Sequence, residues 1–360
     1  MQALILERYY NKDLVNTFTS IILFIISIVS ANILIKLFQK AYSQGLGIDA
    51  IVKFVILTIP ENVTLIAPIA LFLAIITCLG KYFSNNEMFV TLAGGVTWME
   101  ITKMILKPAM LLTLITFFTV MYLIPLSKQT SDIYQTSLSA RALLSSITDN
   151  KIIKAPDGRV FYIQSKSNNK LKKVFLYQEA QKNNEYKVIT APTATVESDK
   201  NAAFINFKDA NVYTKNLQTD KSSYGTADRA IYTIYDNSIR DYNHTRMDRK
   251  YMWQLIKNSW EGKSKYTAEL FARINNCIIV MVSALLAISM CRLRPRQNRY
   301  AKLLPSVAVL AIYLCANMFT NTLMASGKIP VWIGIWLPHI FFITSAVHTI
   351  RKQNGSSKKG

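Results

Sequence analysis

Residues 17–35 (TFTSIILFIISIVSANILI) carry no charged side chain. A run of about 20 such residues is what a helix needs to cross a 30 Å hydrocarbon layer. The pattern recurs at residues 62–80, extended backwards by 54–59 across Pro60, and again at 108–127. Pro60 and Pro68 do not break the second stretch as a span, because neighbouring groups in a membrane helix satisfy the carbonyls that proline leaves free. The apolar runs then stop for some 145 residues and resume at 274–291, 303–326 and 329–350. This predicts six spanning helices, three before and three after a polar insert.

Inside the insert the period changes. Residues 159–166, 171–180, 186–190, 202–208, 210–215 and 229–236 are short runs rich in Val, Ile, Tyr, Phe and Thr, several of them alternating apolar with polar. Turn signals separate them at 157–158, 167–169, 182–184 and 222–225. Half-buried antiparallel strands at this spacing predict a sandwich, barrel or jelly roll. Two basic stretches bearing Tyr or Trp, residues 129–146 and 246–269, read as helices joining this domain to the membrane.

Composition agrees: 51% of residues are hydrophobic and 18% charged, which excludes a disordered chain and weighs against a soluble enzyme. The net charge of +21 fits either a nucleic-acid binder or a membrane protein. Its cations are split among membrane loops and the insert, so no nucleic-acid footprint forms. Lys and Arg in the N-terminus, the second-to-third and fourth-to-fifth loops and the tail number fourteen, against four in the other short loops. By the positive-inside rule both termini are then cytoplasmic and the insert lies across the membrane. The first run is full length and leads into Lys36, Phe38 and Lys40, so it reads as a retained span rather than a cleaved signal.

Catalytic patterns are missing from the sequence. There is no G-x-S-x-G, no H-E-x-x-H and no phosphate-binding G-x-x-x-x-G-K-[ST]. His244, His339 and His348 lie in separate segments, and Cys78, Cys277, Cys291 and Cys315 lie in or beside apolar runs with no metal-ligand spacing. Neither a cofactor nor a metal nor enzymatic activity is expected of this chain. Ionisable residues at membrane depth are costly and therefore informative. Lys36 and Lys40, spaced i,i+4 at the outer end of the first span, either hold the phosphates of an anionic amphiphile or snorkel to headgroups. Glu61 at the opening of the second run reads as interfacial. The loop KYFSNNEMFVTLAGGVTWMEITK, residues 81–103, carries a short helix that Asn85 or Asn86 can cap, with Glu87 in its first turn and Gly94-Gly95 at its end. Such a helix either rests at the interface or plugs a partner's groove, and Glu100 is a second acid in the same loop.

Several of these segments together match a known pattern. They are Leu6-Glu7-Arg8-Tyr9, Pro60-Glu61 with Ala67-Pro68-Ile69-Ala70-Leu71, Leu79-Gly80-Lys81-Tyr82 followed by Asn86-Glu87-Met88, Ala268-Glu269-Leu270 with Arg273, and Arg294-Pro295-Arg296-Gln297. In this order, around a β insert, the chain resembles the F/G permease family of lipopolysaccharide export, and is more similar to its F-type branch. The resemblance implies a helical inner-membrane protein with an inserted all-β, jelly-roll-like periplasmic domain. It implies a non-catalytic permease subunit that pairs with a homologous G-type subunit and is driven by a separate cytoplasmic ATPase dimer. A periplasmic bridge protein and a single-span C-type subunit would be further partners, and lipopolysaccharide the substrate. Glu87, Met88 and Phe89 would engage the ATPase, Lys36 and Lys40 the lipid phosphates, and Arg292, Arg294, Arg296 and Arg299 would form a cytoplasmic basic loop. The expected organisation is an N-terminal membrane domain at 1–127 with the coupling helix near 84–95, the β domain with flanking helices at 128–270, a C-terminal membrane domain at 271–350 and a tail at 351–360. A membrane-anchored sensor or scaffold remains the alternative from the residues alone, and an enzyme acting on lipid lacks any convergent acid, base or metal set.

Overall fold

The computed structural model describes residues 2–44, 48–132, 134, 151–154, 159–167, 170–180, 185–198, 202–216, 220–236, 247–261, 264–293, 297 and 300–357. Among them six helices are long and apolar enough to cross a membrane, three on either side of an antiparallel sheet in sequence. The helices are α1 (Gln2–Gln44), α2 (Ile48–Ser84), the short α3 (Glu87–Ala93), α4 (Trp98–Phe118), α5 (Met252–Trp260), α6 (Ser264–Met290), α7 (Leu303–Ala325) and α8 (Val331–Ser357). A π-helical turn at Thr119–Leu123 carries α4 onward towards residue 132.

α1 starts far ahead of the uncharged run that announced it. Glu7 and Asp13 do not end the helix because each meets a cation from another element: Lys107 for Glu7, and Lys81 at 3.1 Å for Asp13. α2 runs unbroken through Pro60 and Pro68. Hydroxyl and amide groups of Thr58, Asn62 and Thr64 bond back to backbone carbonyls around Pro60 at 2.8 to 2.9 Å. α4 begins with a capping box, in which Thr97 accepts from the Glu100 N–H and the Glu100 carboxylate accepts from the Thr97 N–H at 2.8 Å.

The chain divides into two compact units, Met1–Ile35 with Phe54–Gln129 and Arg246–Gly360, and Lys36–Lys53 with Thr130–Thr245. In the first, Phe72, Ile75, Leu79, Met88, Ile101, Val280 and Tyr313 belong to one apolar core built chiefly from α2, α4 and α6. The fully buried residues that α1 gives to that core are Tyr10 and Leu14, with Leu6, Phe18 and Ile21 half-buried against it, and no residue of its most apolar stretch is buried, against 72% in α2.

The second unit holds six strands: β1 (Lys151–Lys154), β2 (Val160–Ser167), β3 (Lys170–Ala180), β4 (Glu185–Ser198), β5 (Ala202–Asn216) and β6 (Ser222–Asp236). Each pairs antiparallel with the next, in the order β1 to β6. The connectivity is thus a meander, without the Greek-key crossings of a formal jelly roll among the described strands. The enclosure comes from a crease. Gln164, Lys173, Pro192, Asp209 and Asp228 fall in line across the register, and the two positive-φ residues among them are Lys173 (φ 47) and Asp209 (φ 55). At this line β3, β4 and β5 each turn two consecutive residues outward, so the buried set resets from Leu171 to Val174, from Ala191 to Ala194 and from Phe207 to Ala210. The pairing register is the same on both sides of the line, so the strands bend together without an inserted residue. The sheet folds over its own apolar face: the rings of Phe161 on β2 and Tyr232 on β6 lie 6.2 Å apart, although a flat sheet would separate those strands by roughly 19 Å.

Two sequence expectations shift here. The segments 202–208 and 210–215 are one strand bent at Asp209, and residues 222–225 are not a turn but the start of β6, where Tyr224 pairs with Tyr213. Of the connecting stretch at 129–146, residues 133 and 135–146 lie outside the described residues.

The crease yields a stability prediction. Asp209→Val puts a β-branched residue at positive φ and lowers the stability of the β unit by about 1–3 kcal/mol, whereas Asp209→Gly leaves it within about 1 kcal/mol. Hydrogen exchange of the β3–β5 amides in the intact protein measures both.

Candidate functional site

α3 sits between the ends of α2 and α4 and is built into the bundle. The chain reverses at Asn86, which adopts φ 61, and Gly94-Gly95 closes the other end with Gly95 at φ 89. Asn86 makes no side-chain cap, so the capping role expected of this pair is not filled. Asn85 instead donates from its amide to Glu87 Oε1 at 3.1 Å. Tyr9 on α1 donates its hydroxyl to Glu87 Oε2, also at 3.1 Å, and the Tyr10 hydroxyl pairs with Thr91 Oγ1 at 3.0 Å.

Beneath α3 lies an aromatic seat. Tyr10 and Tyr82 have ring centroids 4.7 Å apart, Phe83 meets Phe89 edge-on at 5.5 Å, and Phe83 lies 5.9 Å from Trp98. Asp13 of α1 closes the seat by accepting from Tyr82 at 2.9 Å and from Lys81 at 3.1 Å. Two helix ends and the short helix are thereby fixed to the first turns of α1.

The three residues of the expected contact set differ in exposure. Met88 is completely buried, so it anchors α3 to the core and offers a partner no surface. Phe89 is half-buried against Phe83. The exposed apolar residue of the helix is Val90, at 71%. Glu100 is engaged in its capping box, while Glu87 stays half-exposed with both oxygens oriented by neutral donors.

The other expected residues fall elsewhere. Lys36 is an exposed position of α1, and the side chain of Lys40 lies outside the described residues, as do Arg294, Arg296 and Arg299. Arg292 donates to the Gln353 carbonyl at 2.7 Å, while Gln353 donates to the Ser289 carbonyl at 2.8 Å, which ties the end of α6 to that of α8. His339 is buried between Tyr313, at 2.9 Å from Nδ1, and Asn275, at 2.6 Å from Nε2, bridging α8, α7 and α6. Among the described residues no group of His, Cys, Asp and Glu is arranged to hold a metal. His244 lies outside them.

One cluster was not foreseen. Lys128, near the far end of the α4 span, lies 2.9 Å from Glu61 of α2 and 3.1 Å from Asp248, just after the insert. Arg273 pairs with Glu269 at 3.1 Å and donates to the carbonyls of Met247 and Asp248. The only sequence signal was the i,i+4 spacing of Glu269 and Arg273, since Glu61 and Asp248 are far apart in the chain.

Since Met88 is the keystone of the α3 seat, Met88→Ala lowers stability by about 2–5 kcal/mol through its cavity. Val90→Ala, at an exposed position, changes it by no more than about 0.5 kcal/mol. Thermal melts of the purified protein compare the two.

The chain aligns over 359 residues, 96% of its length and 94% of the relative's, with the lipopolysaccharide export system permease protein LptF of Escherichia coli K12 at 22% identity. It is 23% identical over 353 residues to the LptG permease protein of Haemophilus influenzae, covering 94% of this chain and 96% of that one. Against LptG of Escherichia coli K12 it is 22% identical over 362 residues, 97% and 98% of the two chains. Its residues 8–352 match the family described as lipopolysaccharide export system permease LptF/LptG, and with six membrane-length helices around an inserted sheet the chain belongs to that family.

Proposed function

We propose that this chain is the F-type half of a paired permease that extracts lipopolysaccharide from the inner membrane under the drive of a cytoplasmic ATPase dimer. In this reading the termini and α3 face the cytoplasm, and the β unit faces the periplasm, where it hands the lipid to a bridge protein and a single-span subunit. The observation that supports it best is the seating of α3: a half-exposed acid and an exposed valine on a short helix bolted to α1, α2 and α4 at once.

The energetics require such a rigid link. Each methylene of an acyl chain pulled from the bilayer into water costs about 0.8 kcal/mol, so a multi-acylated lipid does not leave unaided. A partner that docks on α3 through Glu87 and moves it also moves the base of α1, because Tyr9, Tyr10 and Asp13 join the two. No residue of the most apolar stretch of α1 is buried among those described, which suits a wall of a cavity shared with a G-type subunit. Lys36 and Lys40 on that helix are the proposed phosphate-holding cations, and Arg292, Arg294, Arg296 and Arg299 the basic loop on the cytoplasmic side.

Glu87→Arg places like charge against the ATPase's basic site, which costs several kcal/mol, and lowers co-purification of the ATPase by about tenfold or more. Tyr9→Phe keeps the acid and removes only one orienting bond, so it retains the ATPase while reducing hydrolysis stimulated by lipopolysaccharide. Pull-down and ATPase assays of the reconstituted complex read both. Retention of the ATPase and full activity by the Glu87→Arg complex would remove Glu87 from the docking site. Absence of any ATPase from the unmutated protein would return the reading to a membrane scaffold.

A further inference from the structure

The outer face of the folded sheet carries a cationic row. In register across four strands stand Lys172, Thr193, Lys208 and Arg229, all exposed. Lys170 lies two residues along β3 on the same face, and the crease turns Lys173 outward beside Lys172. None of these five cations is ion-paired among the described residues, although Asp209 and Asp228 stand one position away on the crease.

Folding alone does not favour this arrangement. Lys208 and Arg229 are directly opposite cross-strand partners, and like charges in that position destabilise a sheet. Lys173 is a long side chain at φ 47, where Gly or Asn is the comfortable residue. Two unfavourable choices in one small area, both of which concentrate positive charge, point to an anionic ligand that offsets them.

We infer that this outer face binds the phosphorylated saccharide portion of lipopolysaccharide, an inference that rests on the exporter reading and extends it to the sugar end of the substrate. In Lys172, Thr193 and Lys208 a hydroxyl alternates with cations at the strand spacing of about 4.8 Å, and Thr195 stands opposite Lys170 in the next outward row. That alternation suits a sugar phosphate, whose anionic groups are interspersed with hydroxyls that need their own hydrogen bonds. A bare anionic bilayer asks only for charge. The acyl chains and the sugars of one molecule would then be recognised by different parts of the chain.

The test uses the full-length protein in its detergent-solubilised complex, with Lys172→Gln, Lys208→Gln and Arg229→Gln combined. The probes are fully deacylated, phosphorylated core oligosaccharide, the same saccharide after phosphatase treatment, and phosphatidylglycerol vesicles. The unmutated protein binds the phosphorylated saccharide and loses most of that binding on dephosphorylation. The triple variant binds it at least tenfold more weakly, and its melting temperature holds or rises, because a like-charge pair has gone. Equal binding by the variant overturns the inference, as does binding of the vesicles without the free saccharide. A triple variant that fails to fold also contradicts it, since the row is then needed for the sheet. Failure of the exporter reading shows separately, as a complex that contains no ATPase.

Discussion

Asp13 holds the bundle's most exposed helix to the rest of the molecule. α1 is a long apolar rod whose most apolar stretch has no buried residue among those described, and its packing on the core is confined to its N-terminal half, from Leu6 to Ile21. Within those turns, one carboxylate accepts from both Tyr82 and Lys81, the Tyr10 ring lies against Tyr82, and Tyr9 and Tyr10 reach α3. Remove that contact and, among the described residues, α1 retains the Glu7–Lys107 ion pair, the Cys78–Thr17 contact and the packing of Leu6, Leu14, Phe18 and Ile21. The position of α3, the direction of α1 and the ends of α2 and α4 are therefore one geometric decision, made by a few polar bonds over an aromatic floor. Polar bonds suit this place, since in a bilayer apolar surface alone does not drive helices together.

The β unit solves a different problem with comparable economy. A six-stranded meander has one apolar face, and among the described residues that face is covered by the sheet itself. The crease at Lys173, Pro192 and Asp209 provides that cover, because each long strand passes the line, resets its inward parity and continues on the opposing wall. Phe161, Phe207 and Leu171 then share one core with Leu176, Ile189 and Ala210. The parity reset also explains the charge on the outside. Wherever two successive residues turn outward, the strand presents a doublet such as Lys172-Lys173 instead of a single side chain.

How much of this was legible in the sequence depended on the range of the determining interaction. The six spans were legible because the membrane imposes a local rule, an uninterrupted run without charge. The start of α1 was not, because Glu7 and Asp13 look like terminators until Lys107 and Lys81 are seen beside them. Strand alternation revealed β2, β3 and the start of β4, but it split β5 at Asp209, where the crease breaks the period of two. Residues 222–225 read as a turn from Ser and Gly, while pairing with β5 makes them strand. At the candidate site, the place of Glu87 in the first turn of a short helix was legible from the residues around it. The burial of Met88 was not legible, because seven residues of mixed apolar character do not say which side faces the core. The Lys128 cluster joins residues more than a hundred positions apart and had no local signature.

That cluster has a consequence for the architecture as a whole. Lys128 leads into the insert and Asp248 comes just after it, so the chain leaves the bundle and returns to it at a single knot of charge. Gln129 and Arg249, one residue farther along each path, are joined as well, through a bond of 2.6 Å to the Arg249 carbonyl. The insert is therefore a loop whose ends are already closed. Closing a loop of that length costs about 4 kcal/mol in chain entropy, and doubling the length would add only about 0.6 kcal/mol. The helical bundle is thus nearly indifferent to the size of what is spliced in at this point. In loop entropy alone, residues added to or removed from the insert between Gln129 and Arg249 leave this closure almost unchanged.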